Sequence, residues 1–491
     1  MLRFTFPARS PVSRRLFSTT RAVDTNIAIA GGGAAGFYTA ARLLAKVPDT
    51  QIDIFERLPT PHGLVRYGVA PDHPEVKNCM SKFEEVAANK NVRYFGNVKL
   101  GRDIQLDELK NTYDGVVLAY GASQDKKLGI PGEDGIEGSD GVLAAREFVG
   151  WYNGLPEAQG LQPDLNSLET VVVIGHGNVA LDCARILLTD PEVLAQTDIT
   201  YNALEALRKS SVTSVVMVGR RGPLQASFTI KELREMTKIP GLEIITDVPL
   251  IKRECEQNKE LLAKSRPLKR MMDLLIKHGR TLPSGDQKKT LRLEFLRSPT
   301  KVIYNAINSD DGQIEYPQAI LLNHNTLEGP AESARAVPTD KTTVVPCCMV
   351  LRSIGYASTP VEGAPFDSAK KIVPNISGRV IDGEDVVPGL YVSGWVKRGP
   401  VGVIATTMQD AYHTADAIVM DINNRNIPDG KCSREQIDAA LEKVKGQRVS
   451  NDGWRRLEEY EFAAGKEIGK PREKVTRVED MLQIIRENEG K

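Results

Sequence analysis

The chain lacks most of what would mark a disulfide-bonded, metal-bound, membrane-spanning or nucleic-acid-binding protein. Its six cysteines, Cys79, Cys183, Cys255, Cys347, Cys348 and Cys432, include no Cys-x-x-Cys pair and none pairs with a histidine at ligand spacing. That argues against zinc, an iron–sulfur cluster or a disulfide framework, and no metal is expected. No apolar run approaches the roughly 20 residues that a membrane-spanning helix needs. Basic and acidic residues number 64 each, so there is no cationic excess to meet phosphate backbones. Aromatics make up only 6%, whereas glycine is plentiful at 41 of 491 residues. This balance points to an α/β enzyme of two to four domains.

Acids are also missing from the N-terminus. Arg3, Arg9, Arg14, Arg15 and Arg21 are the only charges before Asp24, interleaved with Leu2, Phe4, Phe6, Leu16 and Phe17 and with serines. Such an Arg- and Ser-rich, acid-free segment reads as a mitochondrial targeting peptide over residues 1–21. Without it, the remaining chain carries an excess of five acids.

Two segments show a strand, a glycine turn and a helix. In the first, a strand from Asn26 to Ala30 meets Gly31, Gly33 and Gly36, then a helical run through Leu44, then a second strand ending in Glu56. The glycines allow a tight turn and close approach to a pyrophosphate, and the acid can accept ribose hydroxyls. The second segment has a strand from Val171 to Ile174, then Gly175, Gly177 and Ala180, then a helix from Val179 to Leu188. Its next strand ends in Arg220 and Arg221 instead of an acid. Paired guanidiniums there suit a 2′-phosphate, which an acid would repel, and so favour NADPH; a solvated surface turn is the plain alternative.

One fold inserted into another accounts for both motifs. The reading is an α/β protein of two nested Rossmann-like folds: residues 22–123 and 358–491 form the first, closed by a C-terminal segment, and 124–357 the inserted NADPH-binding fold. Cys347 and Cys348 fall in a buried strand as small hydrophobes.

Longer runs carry a more specific signal. The stretches GLVRYGVAPDHPEVK at 63–77, FVGWYNG at 148–154, GRRGPLQ at 219–225 and SGWVKRGP at 393–400 resemble the mitochondrial NADPH:adrenodoxin (ferredoxin) oxidoreductases, FAD flavoproteins with two dinucleotide folds. The resemblance spans nearly everything after Asn26. It implies FAD contacts at Ala35, Glu56, Leu64, Leu100, Trp395, Gly402, Val403 and Ile404, beside the turn glycines. It implies NADPH contacts at His176, Gly177, Asn178, Val179, Arg220, Arg221, Glu232, Trp395 and Gly402. It also implies a His73 and Asp182 pair on the flavin and ferredoxin side. Ala34 and His176 depart from the family's usual Pro and Gln, and the second leaves the nicotinamide-side hydrogen bonding open.

NADPH delivers a hydride, and a flavin can take it and release electrons singly. A flavoprotein disulfide reductase would need a cysteine pair beside the flavin, yet Cys79 stands alone, so a redox protein is the expected acceptor, and the resemblance implies that it is a mitochondrial two-iron ferredoxin. A flavin monooxygenase and a non-catalytic FAD-binding interaction protein are the alternatives. His73, read from its neighbours alone, is a turn residue or a proton-coupling group. For the partner, Arg266 and Arg270 lie four apart on a helix whose Leu268, Met271, Met272 and Leu275 turn inward. With Arg234 they make a basic face, or else a solvated one. A monomer in the matrix is expected, with peripheral contact to the inner membrane open.

Overall fold

The computed structural model describes residues 25–135, 142–285, 289–309, 312–428, 432–446 and 448–487. The proposed targeting segment lies outside them. Two seven-stranded sheets dominate. In the first, Asn26–Ala30 is flanked by the parallel strands Gln51–Phe55 and Gly115–Leu118, with Val92–Phe95 beyond Gln51–Phe55. Beyond Gly115–Leu118 comes Asp385–Val392, also parallel, and then the antiparallel strands Arg379–Asp382 and Asn375–Ile376. The Asn26–Ala30 residues are all buried, as strands covered on both faces must be.

The second sheet is parallel in every pairing. Its order is Gly279–Arg280, Leu242–Thr246, Lys289–Glu294, Ser214–Val218, Thr170–Ile174, Met349–Arg352 and Leu143–Ala144. Cys347 and Cys348 are buried immediately before Met349–Arg352. One face of this sheet is covered by helices, including Ala145–Asn153 and Asn178–Leu188. A three-stranded antiparallel sheet, Arg297–Ser309, Gly312–Glu328 and Arg335–Pro346, packs Val302, Ile320 and Leu322 against the other. Where the chain passes between the two large sheets, Gln124–Asp125 pairs antiparallel with Tyr356–Ala357.

Helix Ile404–Asn424 lies along Ala34–Lys46 in the same direction, since Tyr38 meets Tyr412 and Arg42 pairs with Asp416 one turn on. After it, helices Arg434–Ala440, Asn451–Glu467 and Val478–Glu487 wrap the molecule. Among the described residues no helix is long and apolar enough to cross a membrane.

Candidate functional site

Both glycine turns are built the same way. Gly31 has φ +124°, and a Cβ there would come within 2.4 Å of Ala119 O; Gly175 has φ +135°, and a Cβ there would come within 2.2 Å of Ser353 O. Each first glycine thus sits against the end of the neighbouring parallel strand, where only glycine fits. At Gly36 a Cβ would meet Gly31 O at 2.1 Å, so the helix can lie close on its strand only without a side chain. Ala180 at the matching place in the second turn is wholly buried. Gly33, by contrast, faces open space.

Glu56 ends its strand as expected, with its carboxylate turned to the glycine turn: Gly32 N donates to Oε2 at 2.9 Å and Leu58 N to Oε1 at 3.2 Å. Burial holds its pKa up against these hydrogen bonds and Arg57. Gly394 abuts Ala35, which brings Trp395 beside the first turn, its ring 5.5 Å from that of Tyr356. Helix Ile404–Asn424 starts at the same end as Ala34–Lys46, and ahead of it Val401 and Val403 are 70% and 53% exposed. Leu64 is exposed as well, on the loop whose Gly63 approaches Gly33. Exposed valines and a leucine beside an open glycine turn and a helix N-terminus form a cradle that suits a flavin dinucleotide, apolar at its ring and anionic at its pyrophosphate. Leu100 packs into the cluster around Phe95, Val98 and Ile104.

In the second turn, His176 does not project outward. Its ring lies under Gly219 against Phe295, with ring centroids 4.7 Å apart and Nε2 3.1 Å from Met217 O, and burial lowers its pKa to about 4. Its carbonyl accepts from Ser227 N and Phe228 N, while Asn178 Oδ1 accepts from Thr229 N, so the turn fastens the entry to helix Ile230–Met236. Val179 packs on the helix-covered core. Arg220 is exposed and Arg221 half-buried; their carbonyls are held by Asn325 Nδ2 and Leu296 N, and among the described residues neither side chain has an ion-pair partner. Two guanidiniums at a strand's carboxyl end with no carboxylate are fitted to an anionic ligand.

His73 and Asp182 lie in one cluster, joined through third residues. His73 Nε2 is 2.7 Å from Glu235 Oε2, and Asp182 pairs with Arg185 at 2.8 Å. Arg185 also forks onto Asp72, at 2.6 and 3.0 Å. Glu232, expected at NADPH, has its carboxylate 4.0 Å from the same guanidinium. Glu235 and Arg185, which reading the sequence did not single out, line a cavity of about 270 Å³ with Asp72, His73 and Glu75.

Arg234 points to solvent from helix Ile230–Met236, the helix that sends Glu232 and Glu235 inward. Helix Arg266–His278 packs beside it, with Arg266 and Arg270 exposed, Met271, Met272 and Leu275 buried and Leu268 half-buried.

Two sheets built around parallel strands, each with a glycine turn at the carboxyl end of a central strand, define an oxidoreductase of the two-dinucleotide-fold flavoprotein class. Residues 25–237 match the pyridine nucleotide-disulphide oxidoreductase family. The chain is 46% identical over 488 residues to the mitochondrial NADPH:adrenodoxin oxidoreductase of Homo sapiens, covering 98% of this chain and 96% of that one. The protein of the same name from Arabidopsis thaliana is 42% identical over 487 residues, 97% of this chain and 98% of that one. Among solved structures, Mycobacterium tuberculosis FprA in complex with NADPH superposes with a TM-score of 0.85 and 38% identity, over 94% of this chain and 99% of that chain. The chain belongs to the mitochondrial NADPH:adrenodoxin oxidoreductase family.

Proposed function

We propose that this protein is a mitochondrial FAD enzyme that takes hydride from NADPH and passes single electrons to an adrenodoxin-type two-iron ferredoxin. The observation that carries the reading is the pairing of two unlike nucleotide turns, one ending in Glu56 and the other in the unpaired Arg220 and Arg221. Residues 22–123 and 358–491 would hold FAD, and 124–357 NADPH.

When bound, the flavin supplies the conversion of a two-electron hydride into single electrons. The chain's own residues do the rest. Gly31, Gly33, Ala35 and Gly36 receive the FAD pyrophosphate, Glu56 its ribose, and Leu64, Leu100, Val403 and Ile404 bound its apolar part. Gly175, Gly177, Asn178 and Val179 receive the NADPH pyrophosphate, and Arg220 and Arg221 its 2′-phosphate. His176 acts from beneath, holding the turn. Trp395, packed against Tyr356 beside the first turn, and the exposed Gly402 would contact both ligands. His73 Nε2 and Glu235 Oε2, 2.7 Å apart, are placed to pass a proton in step with electron transfer, with Asp182 close by.

For the acceptor, Arg234, Arg266 and Arg270 present three exposed guanidiniums, and among the described residues none has an ion-pair partner. Without its first 21 residues the chain has five more acids than bases, and it needs such a face to receive an acidic ferredoxin. Helix Ile230–Met236 links that face to the His73 cluster by carrying Arg234 on one side and Glu235 on the other. The six free cysteines, with Cys79 isolated beside Tyr38, offer no thiol relay of the disulfide-reductase kind. A monomer in the matrix, at most peripheral on the inner membrane, fits this reading. The test is an absorbance spectrum of purified protein: flavin bands bleached by NADPH and restored by oxidised two-iron ferredoxin support it, and bands restored only by a thiol substrate overturn it.

A further inference from the structure

Four carboxylates crowd around His73, and one guanidinium faces them all. Arg185, whose side chain is 4% exposed, forks onto Asp72 of the first fold, pairs with Asp182 one helical turn back, and turns Nη1 toward Glu235 and Glu232 at 3.8 and 4.0 Å. His73, Glu232 and Glu235 offer ligand atoms within 4.8 Å of one another, a spacing that would suit a cation, and Arg185 supplies that positive charge.

We propose that Arg185 is a positioning residue for the reaction: by bridging Asp72 and Asp182 it pins the His73 loop to the second fold, and as the shared counter-cation of the cluster it governs the protonation of the His73–Glu235 pair. The inference rests on the reading of His73 as the proton-holding group of the site.

The surroundings bear out a field with too little positive charge. From the first fold Asp72 meets the guanidinium, and His73 and Glu75 line the same cavity; from helix Ile230–Met236 come Glu232 and Glu235, while Lys231 is tied to Glu75 at 3.2 Å on the rim. Behind it, the Tyr152 and Tyr356 hydroxyls and the Cys183 thiol are neutral, burial pushing each of them up. Burial would also raise Asp72, yet the Arg185 fork holds it below the ordinary carboxylate range. Asp182, which has only one arm of the guanidinium, is raised by burial against Arg185 and His73. Glu232 is raised by burial and by Asp182 and Glu235. One cation thus keeps Asp72 charged and leaves its neighbours inclined to hold protons.

The test compares two substitutions that break the same ion pair and change the local charge in opposite senses. The NMR titration of the His73 imidazole, assigned by its loss in His73→Gln, is followed in the FAD-loaded protein, together with the pH profile of flavin reduction by NADPH. Arg185→Gln removes a positive charge and should move the His73 midpoint up by about one pH unit; Asp72→Asn removes a negative one and should move it down by a similar amount. The limb of the rate profile should follow each shift, and Arg185→Lys should restore most of the midpoint. Shifts of the same sign in both variants, or none, would overturn the proposal, because a merely structural bridge gives either result. If Arg185→Gln does not hold flavin, the downward shift in Asp72→Asn and the result with Arg185→Lys still decide it. A rate profile unchanged even in His73→Gln would instead remove His73 from the chemistry, a different failure from one in which His73→Gln alters the profile and the Arg185 variants do not.

Discussion

Arg66 and Glu461 form an ion pair at 2.5 Å with side chains 1% and 0% exposed, joining the short helix Leu64–Tyr67 beside the first glycine turn to helix Asn451–Glu467. Arg472 lies 3.5 Å from the other Glu461 oxygen, and the Arg66 guanidinium lies over the rings of Tyr67 and Trp454. A buried charge is tolerable only while its partners stay in place. Glu461→Gln should therefore cost about 3–5 kcal/mol by leaving two guanidiniums under-compensated. Because Leu64 is on the same short helix as Arg66, flavin should also be released more readily. Thermal unfolding of the FAD-loaded protein, followed by flavin fluorescence, checks both.

A second buried group behaves differently. Asp198 accepts from Lys77 and lies 3.0 Å from Lys474, so two ammoniums share one carboxylate. Burial lowers Lys474 to about 7, Asp198 only partly offsetting it, with Lys77 and Arg66 adding to the decrease. The unfolded chain keeps that proton to about pH 10.4, so between about pH 7 and 10 the unfolded state binds more protons and stability rises with pH, by at most ~1.4 kcal/mol per unit. Lys474→Met should flatten the slope at little cost, whereas Asp198→Asn should destabilise most towards pH 6.5, where Lys77 and Lys474 would both be charged without their shared carboxylate. Urea midpoints from pH 6.5 to 10 distinguish the two.

Replacing Arg220 and Arg221 with Gln should raise the Michaelis constant for NADPH at least tenfold and leave that for NADH nearly unchanged, since each charge-assisted contact is worth ~1.5–3 kcal/mol. Equal losses with both cofactors would show that these arginines do not meet the 2′-phosphate.

Charge reversal at Arg266 and Arg270 should weaken ferredoxin reduction and flatten its dependence on salt, while NADPH reduction of a small artificial acceptor stays near normal. Steady-state rates over a range of ionic strength read this directly. Loss of both activities together would place the fault in the nucleotide sites.

The two glycine turns, their strands and the arginine pair at a strand's end were legible because each is local: an apolar run, a glycine spacing and a charge at a strand's end lie within a few dozen residues. The Arg185 cluster was not, since Asp72, Arg185 and Glu235 meet only when two folds dock, and Arg185 alone reads as a polar residue on an amphipathic helix. Lys474 and Arg472 look like surface charges for the same reason, their partners Asp198 and Glu461 being visible only in three dimensions. The strand Arg335–Pro346 went unread because it is largely exposed along its length and carries no apolar alternation.

The nested topology reverses the order in which the folds can close during synthesis. Strand Gly115–Leu118 takes its second neighbour from Leu390–Val392, whereas the other large sheet is complete once Arg352 has been made. A nascent chain in which Arg352 has left the ribosome and Leu390 has not therefore carries one finished nucleotide fold inside an unfinished one, whose strand Gly115–Leu118 still exposes an unpaired edge.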